Sequence, residues 1–161
     1  MKSSVVILII AALVGASVAL ALDFKAFNID GLAKGNAASK AVEKYGQPEK
    51  QGKPQFWAGS GDWHAQYKWP SKGIVIDMVA ENENAKAWTI NEITATAPFA
   101  GKTDKGVGIG ADAAEVIKTY GKPAVQNKQK IQFSEGECCT LAIFFLKSGK
   151  VEKIWIGPTP E

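Results

Sequence analysis

"GADAAEVIKTYGKP", from Gly110 to Pro123, repeats a phrase that stands earlier in the chain as "GNAASKAVEKYGQP", from Gly35 to Pro48. The two segments share Gly, Ala, Tyr, Gly and Pro at the same positions. In the later copy the apolar residues recur at the spacing i, i+3, i+4, i+7, which is typical of one face of an amphipathic helix. These residues are Ala113, Val116, Ile117 and Tyr120. Each copy therefore predicts one short helix.

The predicted helix in the later copy has start and stop signals. Asp112 is placed to cap the first turn, with Glu115 three residues further on, as in a capping box. Gly121 suits the residue with positive φ that follows many helices, and Pro123 prevents continuation. In the earlier copy Asn36 takes the place of the cap. The repeated phrase thus predicts a packing unit and needs no catalytic explanation.

Three strand-like segments follow each predicted helix, separated by Gly-, Pro- and Ser-rich turns. They are Trp63–Trp69, Gly73–Ala80 and Trp88–Thr96 in the first half, and Lys130–Ser134, Cys139–Leu146 and Val151–Gly157 in the second. Short strands joined by tight turns indicate antiparallel neighbours. The sequence therefore predicts an α+β fold of two tandem helix-plus-antiparallel-β-meander repeats, with the helices packed on one face of an antiparallel sheet.

The N-terminus has the pattern of a secretory signal peptide over residues 1–21. A short basic start precedes the apolar run Val5–Val14, and Ala19 and Ala21 are small residues placed for cleavage. The alternative is a retained N-terminal anchor, because the apolar stretch is nearly long enough to cross a bilayer. We expect a first repeat over residues 22–97, a second over residues 98–161, no membrane span after cleavage, and a periplasmic or secreted location.

The charge pattern argues against a nucleic-acid partner. The chain has 19 Lys and Arg residues against 16 Asp and Glu residues, a formal net charge of +3. Every one of the basic residues is Lys. Because Arg is the usual residue for bidentate contacts to phosphates and base edges, its absence and the small net charge predict no nucleic-acid binding.

The order of elements resembles that of the β-lactamase-inhibitor-protein-like (BLIP-like) fold. A Gly-led helix ending in Tyr-Gly-x-Pro and followed by an antiparallel meander occurs twice, at Gly35–Pro48 and Gly110–Pro123. The pattern is also similar to that of the small outer-membrane assembly lipoproteins of the BamE/SmpA type. The chain departs from both, since it has one adjacent Cys pair in total and no Cys at the cleavage point. The resemblance implies a tandem repeat fold and a binding role.

The sequence offers little for catalysis. His64 is the single histidine, so a His-rich metal site is excluded, and no cofactor motif is present. Cys138 and Cys139 are adjacent. On a strand their side chains would point to opposite faces as a structural thiol pair, whereas in a turn they could form a strained, redox-active disulfide. We expect a protein that is not an enzyme and binds neither metal nor cofactor.

The clearest functional signal is an aromatic insert, Glu49–Trp63, which has no counterpart in the second half. An insertion relative to a sister repeat usually maps to a surface loop, and aromatic side chains on loops are frequent at binding sites. The predicted contact residues are Phe56, Trp57, Trp63 and His64. We expect an exported, non-catalytic binding module that recognises a protein partner through the sheet face and this loop. The alternative is glycan or small-ligand binding, with Trp57 and Trp63 as stacking platforms.

Overall fold

The computed structural model describes residues 22–135 and 140–159. The predicted signal peptide, together with Cys138 and Cys139, lies outside them. The described elements, in chain order, are α1 (Ser39–Tyr45), β1 (Lys50–Gln51), β2 (Gln55–Trp57), β3 (Asp62–Trp69), a 3-10 turn (Pro70–Lys72), β4 (Ile74–Ala80), β5 (Thr89–Thr96), α2 (Ala113–Tyr120), β6 (Val125–Gln126), β7 (Lys130–Ser134), β8 (Thr140–Lys147) and β9 (Lys150–Pro158). Neither helix is long and apolar enough to cross a membrane within these described residues.

All nine described strands form a single antiparallel sheet. Its order is β1-β3-β4-β5-β9-β8-β7-β6, with β2 also paired to β3. The prediction of an α+β fold made of two tandem helix-plus-meander repeats is wrong, because the fold is mostly antiparallel sheet with two short helices. Local periodicity reports which segments are strands, but not that β5 pairs with β9 over Ile93–Thr96 and so makes one sheet. The expected boundary after residue 97 falls between β5 and α2, and strands on both sides of it belong to that sheet.

The six longer strands lie where alternation predicts them, within one or two residues at each end. The three short strands β1, β2 and β6 are two or three residues long and carry no readable period. Two of them lie in the insert Glu49–Trp63, which was predicted to be a surface loop. The insert is largely exposed, as predicted, but it is not a loop, because it adds β1 and β2 along the free edge of β3.

Both helices end as predicted but begin differently. Gly46 and Gly121 follow them with φ of 80° each, a conformation that favours glycine. Asp112 stands at the start of α2, yet its side chain makes no capping hydrogen bond and instead accepts one from Lys150 Nζ at 2.9 Å. The capping box predicted from Asp112 is therefore not formed. At α1 the N-cap is Ala38, not Asn36.

One hydrophobic core includes residues from both helices and from the central strands. Tyr45 of α1 packs against Trp69 of β3, with ring centroids 5.6 Å apart. Tyr120 of α2 packs against Phe144 of β8 at 5.7 Å, and Phe27 of the N-terminal segment contacts both of these rings. The core thus covers one face of the sheet. The opposite face, which we call the outer face, has the side chains that alternate with the core residues along each strand.

The tyrosines that end the two helices are held by neighbouring aspartates. The hydroxyl of Tyr120 lies 2.7 Å from both Asp104 Oδ1 and Thr103 Oγ1, and that of Tyr45 lies 2.9 Å from Asp30 Oδ2. Burial raises the pKa of both tyrosines, and the adjacent carboxylates raise it further. Both phenols therefore stay neutral and donate to carboxylates, which can only accept. These bonds connect each helix to the loop that precedes it.

Removal of the two hydroxyls should have unequal effects on stability. Tyr120 is fully buried (0% exposed), and Tyr120→Phe removes the hydroxyl that lies 2.7 Å from the buried Thr103 Oγ1 as well as from the exposed carboxylate of Asp104. We expect the free energy of unfolding to fall by about 1–3 kcal/mol, measured by urea denaturation. Tyr45→Phe, the matched variant at the partly buried site, should cost about 0.5–1.5 kcal/mol. Equal losses, or a larger loss for Tyr45→Phe, would contradict this account.

Candidate functional site

The β2–β3 hairpin distributes its aromatic side chains over both faces of the sheet. Its register pairs Phe56 with Trp63 and Trp57 with Asp62. Because neighbouring residues on a strand point to opposite faces, Phe56 and Trp63 share one face while Trp57 and His64 share the other. The ring centroids of Phe56 and Trp63 are 5.8 Å apart. The four predicted contact residues are therefore brought into one hairpin but do not form one surface.

Trp57 covers His64 on the outer face. The indole and imidazole rings are stacked, with centroids 4.0 Å apart and an interplanar angle of 12°. The Trp57 side chain is 49% exposed, whereas His64 is 5% exposed. The prediction that His64 contacts a protein partner is not supported by this burial, because Trp57 lies over the imidazole ring. The indole is held flat by a fixed partner on its inner side and presents its other side to solvent.

His64 connects a serine to a buried carboxylate. Its Nδ1 lies 2.8 Å from Asp77 Oδ2, and its Nε2 lies 3.3 Å from Ser60 Oγ. Asp77 is 4% exposed and also accepts a hydrogen bond from Asn91 Nδ2 at 3.3 Å. An ionised carboxylate only accepts, so Nδ1 carries the proton that faces Asp77. In the neutral imidazole Nε2 then accepts the hydrogen bond from the Ser60 hydroxyl.

Strand register explains how residues distant in sequence meet here. His64 pairs with Val79, which makes Asp77 its diagonal neighbour on the same face, and Asp77 pairs directly with Glu92 of β5. Glu92 in turn accepts a hydrogen bond from Trp155 Nε1 of β9 at 3.3 Å. We call these five side chains the cross-strand row: Trp57, His64, Asp77, Glu92 and Trp155. The row runs across β2, β3, β4, β5 and β9.

Glu92 is the most perturbed carboxyl group of the row. Burial raises the pKa of Glu92, and the negative charge of Asp77 raises it further, against the opposing effects of the Trp155 hydrogen bond and of His64. Gly157 permits this arrangement, because a Cβ atom there would lie 2.5 Å from the Trp155 ring and 2.8 Å from Glu92 Cγ. Glu92 is therefore a partly buried carboxylate held between Asp77 and Trp155.

A pocket opens beside the row between the β2–β3 turn and the end of β9. Its volume is about 460 Å³. The lining residues are Trp57, Gly59, Ser60, Asp62, His64, Val79, Asn91, Glu92, Pro158 and Thr159. A wider depression of about 680 Å³ near Ile109 and Lys150 is lined by no histidine, tryptophan or paired carboxylates. The pocket beside Trp57 is therefore the best candidate site in the described part of the chain.

Sequence reasoning singled out Trp57 and His64 of this site and missed Ser60, Asp77 and Glu92. Ser60 lies in a turn whose sequence gives no sign of a functional role. Asp77 is identifiable from the sequence, because it is a single carboxylate in the apolar strand Ile74–Ala80. No group of three or more His, Cys, Asp or Glu side chains in residues 22–135 and 140–159 is arranged to hold a metal ion. The redox hypothesis for Cys138 and Cys139 stays a prediction, because both lie outside the described residues.

Comparisons with known proteins add no family to this description. No protein-family model matches the chain, and neither a curated protein nor a solved structure matches it. The resemblance to the inhibitor-like and lipoprotein folds therefore stays a prediction from the sequence.

Glu92 should make stability depend on pH in a defined direction. An acid whose pKa is raised in the folded state contributes stability below its ordinary value of 4.5, and that contribution is lost as pH rises through the raised pKa. We expect Glu92→Gln, which keeps an oxygen acceptor for Trp155, to gain thermal stability relative to the wild type as pH rises from below 4.5 to neutral.

The measurement is the difference in melting temperature between variant and wild type across that range. Glu81→Gln, in the exposed turn after β4, removes the same charge and serves as the matched control. A difference for Glu92→Gln that does not change with pH, or that matches the control, would contradict the assignment.

Proposed function

We propose that this protein is a binding module for a neutral, ring-containing polar ligand such as a short glycan, held in the pocket beside Trp57. The observation that carries the proposal is the half-exposed Trp57 indole, fixed in orientation by its stack on His64 at the rim of a 460 Å³ pocket. A rigid aromatic ring gives contact area at low entropic cost, since its conformation is already restricted before the ligand arrives.

The polar lining supports a hydroxyl-rich ligand over an anionic one. Asp62, Asn91 and Glu92 supply carboxylate and amide groups that hydrogen-bond to hydroxyls, and among residues 22–135 and 140–159 no Lys lines this pocket. A phosphate or sulfate group would meet negative charge from Asp62 without a compensating cation. Val79 and Pro158 add apolar surface to the wall. A sugar ring has both kinds of surface, with apolar C–H faces and polar edges.

A protein partner, the first hypothesis from the sequence, keeps one observation in its favour. Phe56 is 55% exposed and packs against Trp63 on the face of the hairpin opposite to Trp57. Exposed aromatic side chains that rest on a second ring are frequent anchors in protein interfaces. The two candidate functions therefore use different faces of one hairpin. Export to the periplasm or beyond remains part of both proposals.

Single substitutions on the two faces should separate these functions. The mature protein is titrated with two neutral oligosaccharides, chitotriose and maltotriose, by isothermal titration calorimetry. We expect at least one to bind, and Trp57→Ala to weaken its binding about tenfold or more, equivalent to about 1.4 kcal/mol. Phe56→Ala, the matched aromatic deletion on the other face, should leave that affinity unchanged.

Two results would overturn the glycan proposal. One is no heat of binding for either oligosaccharide with the wild-type protein. The other is equal weakening by Phe56→Ala and Trp57→Ala, which would mean that general loss of the hairpin accounts for the effect. The protein-partner alternative requires capture of a specific envelope protein by the wild type and by Trp57→Ala, but not by Phe56→Ala.

A further inference from the structure

We propose that Ser60, His64 and Asp77 form a nucleophile–base–carboxylate triad that hydrolyses small carboxylic esters in the pocket beside Trp57. The hydrogen bonds run from Ser60 Oγ to His64 Nε2 (3.3 Å) and from His64 Nδ1 to Asp77 Oδ2 (2.8 Å). A triad is recognised by this geometry and by the roles of its members, and not by their order in the chain. A nucleophile–base distance slightly beyond 3.2 Å is common in ligand-free sites.

The environment of each member fits its role. Ser60 is exposed in the turn between β2 and β3 and lines the pocket, so its hydroxyl is accessible to a ligand. His64 is buried beneath Trp57, which keeps water from most of the imidazole ring. Asp77 is buried and lies within hydrogen-bond distance of both His64 Nδ1 and Asn91 Nδ2, so it is placed to orient the ring. Asp77 is therefore a positioning residue, and Ser60 and His64 would act on the substrate.

The reaction balances without a metal or cofactor. Ser60 Oγ attacks the ester carbonyl while His64 Nε2 takes the hydroxyl proton, and His64 then returns that proton to the departing alcohol as the C–O bond breaks. Water attacks the acyl-serine, His64 takes one proton from it, and that proton restores the Ser60 hydroxyl when the carboxylic acid leaves. The net change is ester plus water to acid plus alcohol.

The pocket limits the substrate to a short acyl group on a polar alcohol. Val79 and Pro158 are the apolar lining residues apart from Trp57, which leaves room for an acyl chain of few carbons. The backbone of Gly59 and the side-chain amide of Asn91 line the same pocket and carry N–H groups of the kind that stabilise an oxyanion. The carboxylates of Asp62 and Glu92 favour a neutral or hydroxylated alcohol over an anionic one.

The first test is covalent labelling of the mature protein with a fluorophosphonate. Attack by Ser60 on phosphorus displaces fluoride, and His64 takes the hydroxyl proton, so a working triad gains one stable phosphonyl group. We expect peptide mass spectrometry to place the label on Ser60 and heat-denatured protein to remain unlabelled. Ser71→Ala, at another exposed serine, is the matched control and should label as the wild type does.

The second test is hydrolysis of p-nitrophenyl acetate. Ser60→Ala should lower kcat/KM at least about 100-fold, and Asp77→Asn should lower kcat by a similar factor with KM unchanged, because it misorients the imidazole without altering the pocket wall. Unfolding midpoints and oligosaccharide binding are measured in parallel. A wild type that binds an oligosaccharide but does not hydrolyse the ester would overturn this proposal alone, and one that hydrolyses the ester but binds neither oligosaccharide would overturn the glycan proposal alone.

Three outcomes would overturn the triad. They are absence of label on Ser60 in the folded wild type, hydrolysis that is unchanged by Ser60→Ala, and an Asp77→Asn defect that follows loss of folding and not loss of kcat. In each case the hydrogen bonds that connect Ser60, His64 and Asp77 only attach the β2–β3 turn to the sheet.

Discussion

The pairing of β5 with β9 is the interaction on which the rest of the structure depends. It joins strands from the two halves of the chain over Ile93–Thr96 and makes one sheet out of segments that could each have closed on themselves. It also brings Trp155 against Glu92 and places Pro158 in the wall of the pocket that Ser60 and Trp57 border. The pocket wall at the end of β9 therefore depends on the hydrogen bonding that joins the two halves, whereas Trp57, Ser60 and His64 all come from the first half.

The sequence predicts individual elements well and their assembly poorly, for a physical reason. Alternation of apolar and polar residues is local, so it identifies β3 (Asp62–Trp69) and β9 (Lys150–Pro158) within a residue or two. Partner choice depends on long-range pairing between strands that present similar apolar faces, and nothing local encodes that β5 pairs with β9. The repeated helix phrase predicts two related units, and its tyrosines, the partly buried Tyr45 and the fully buried Tyr120, pack in one shared core.

The residues of the candidate site likewise divide into those that the local sequence predicts and those that depend on strand pairing. Composition and the length of the insert single out Phe56, Trp57 and Trp63 together, and the register is needed to show that Trp57 alone of the three lies on the outer face. Ser60 and Asp77 could not be predicted in this way. Both hydrogen-bond to His64, and the contact with Asp77 depends on the register of β3 with β4, which makes Asp77 the diagonal neighbour of His64. A single carboxylate within an apolar strand is the one local sign of such a site, because a buried charge is costly unless specific partners compensate for it.

That cost bears on why the polar row is present at all. Val75 and Val79 flank Asp77 on the outer face, so an apolar residue at this position would extend an existing apolar surface. Burying a carboxylate costs several kcal/mol, and replacement of buried ion pairs by apolar groups is often neutral or stabilising, so packing alone does not account for Asp77. Trp57 adds to the cost by excluding water, yet the same exclusion strengthens the hydrogen bond that His64 donates to Asp77 and the one that it accepts from Ser60. A ligand stacked on the outer side of Trp57 would complete that exclusion over Ser60, so binding and chemistry in this pocket would reinforce each other.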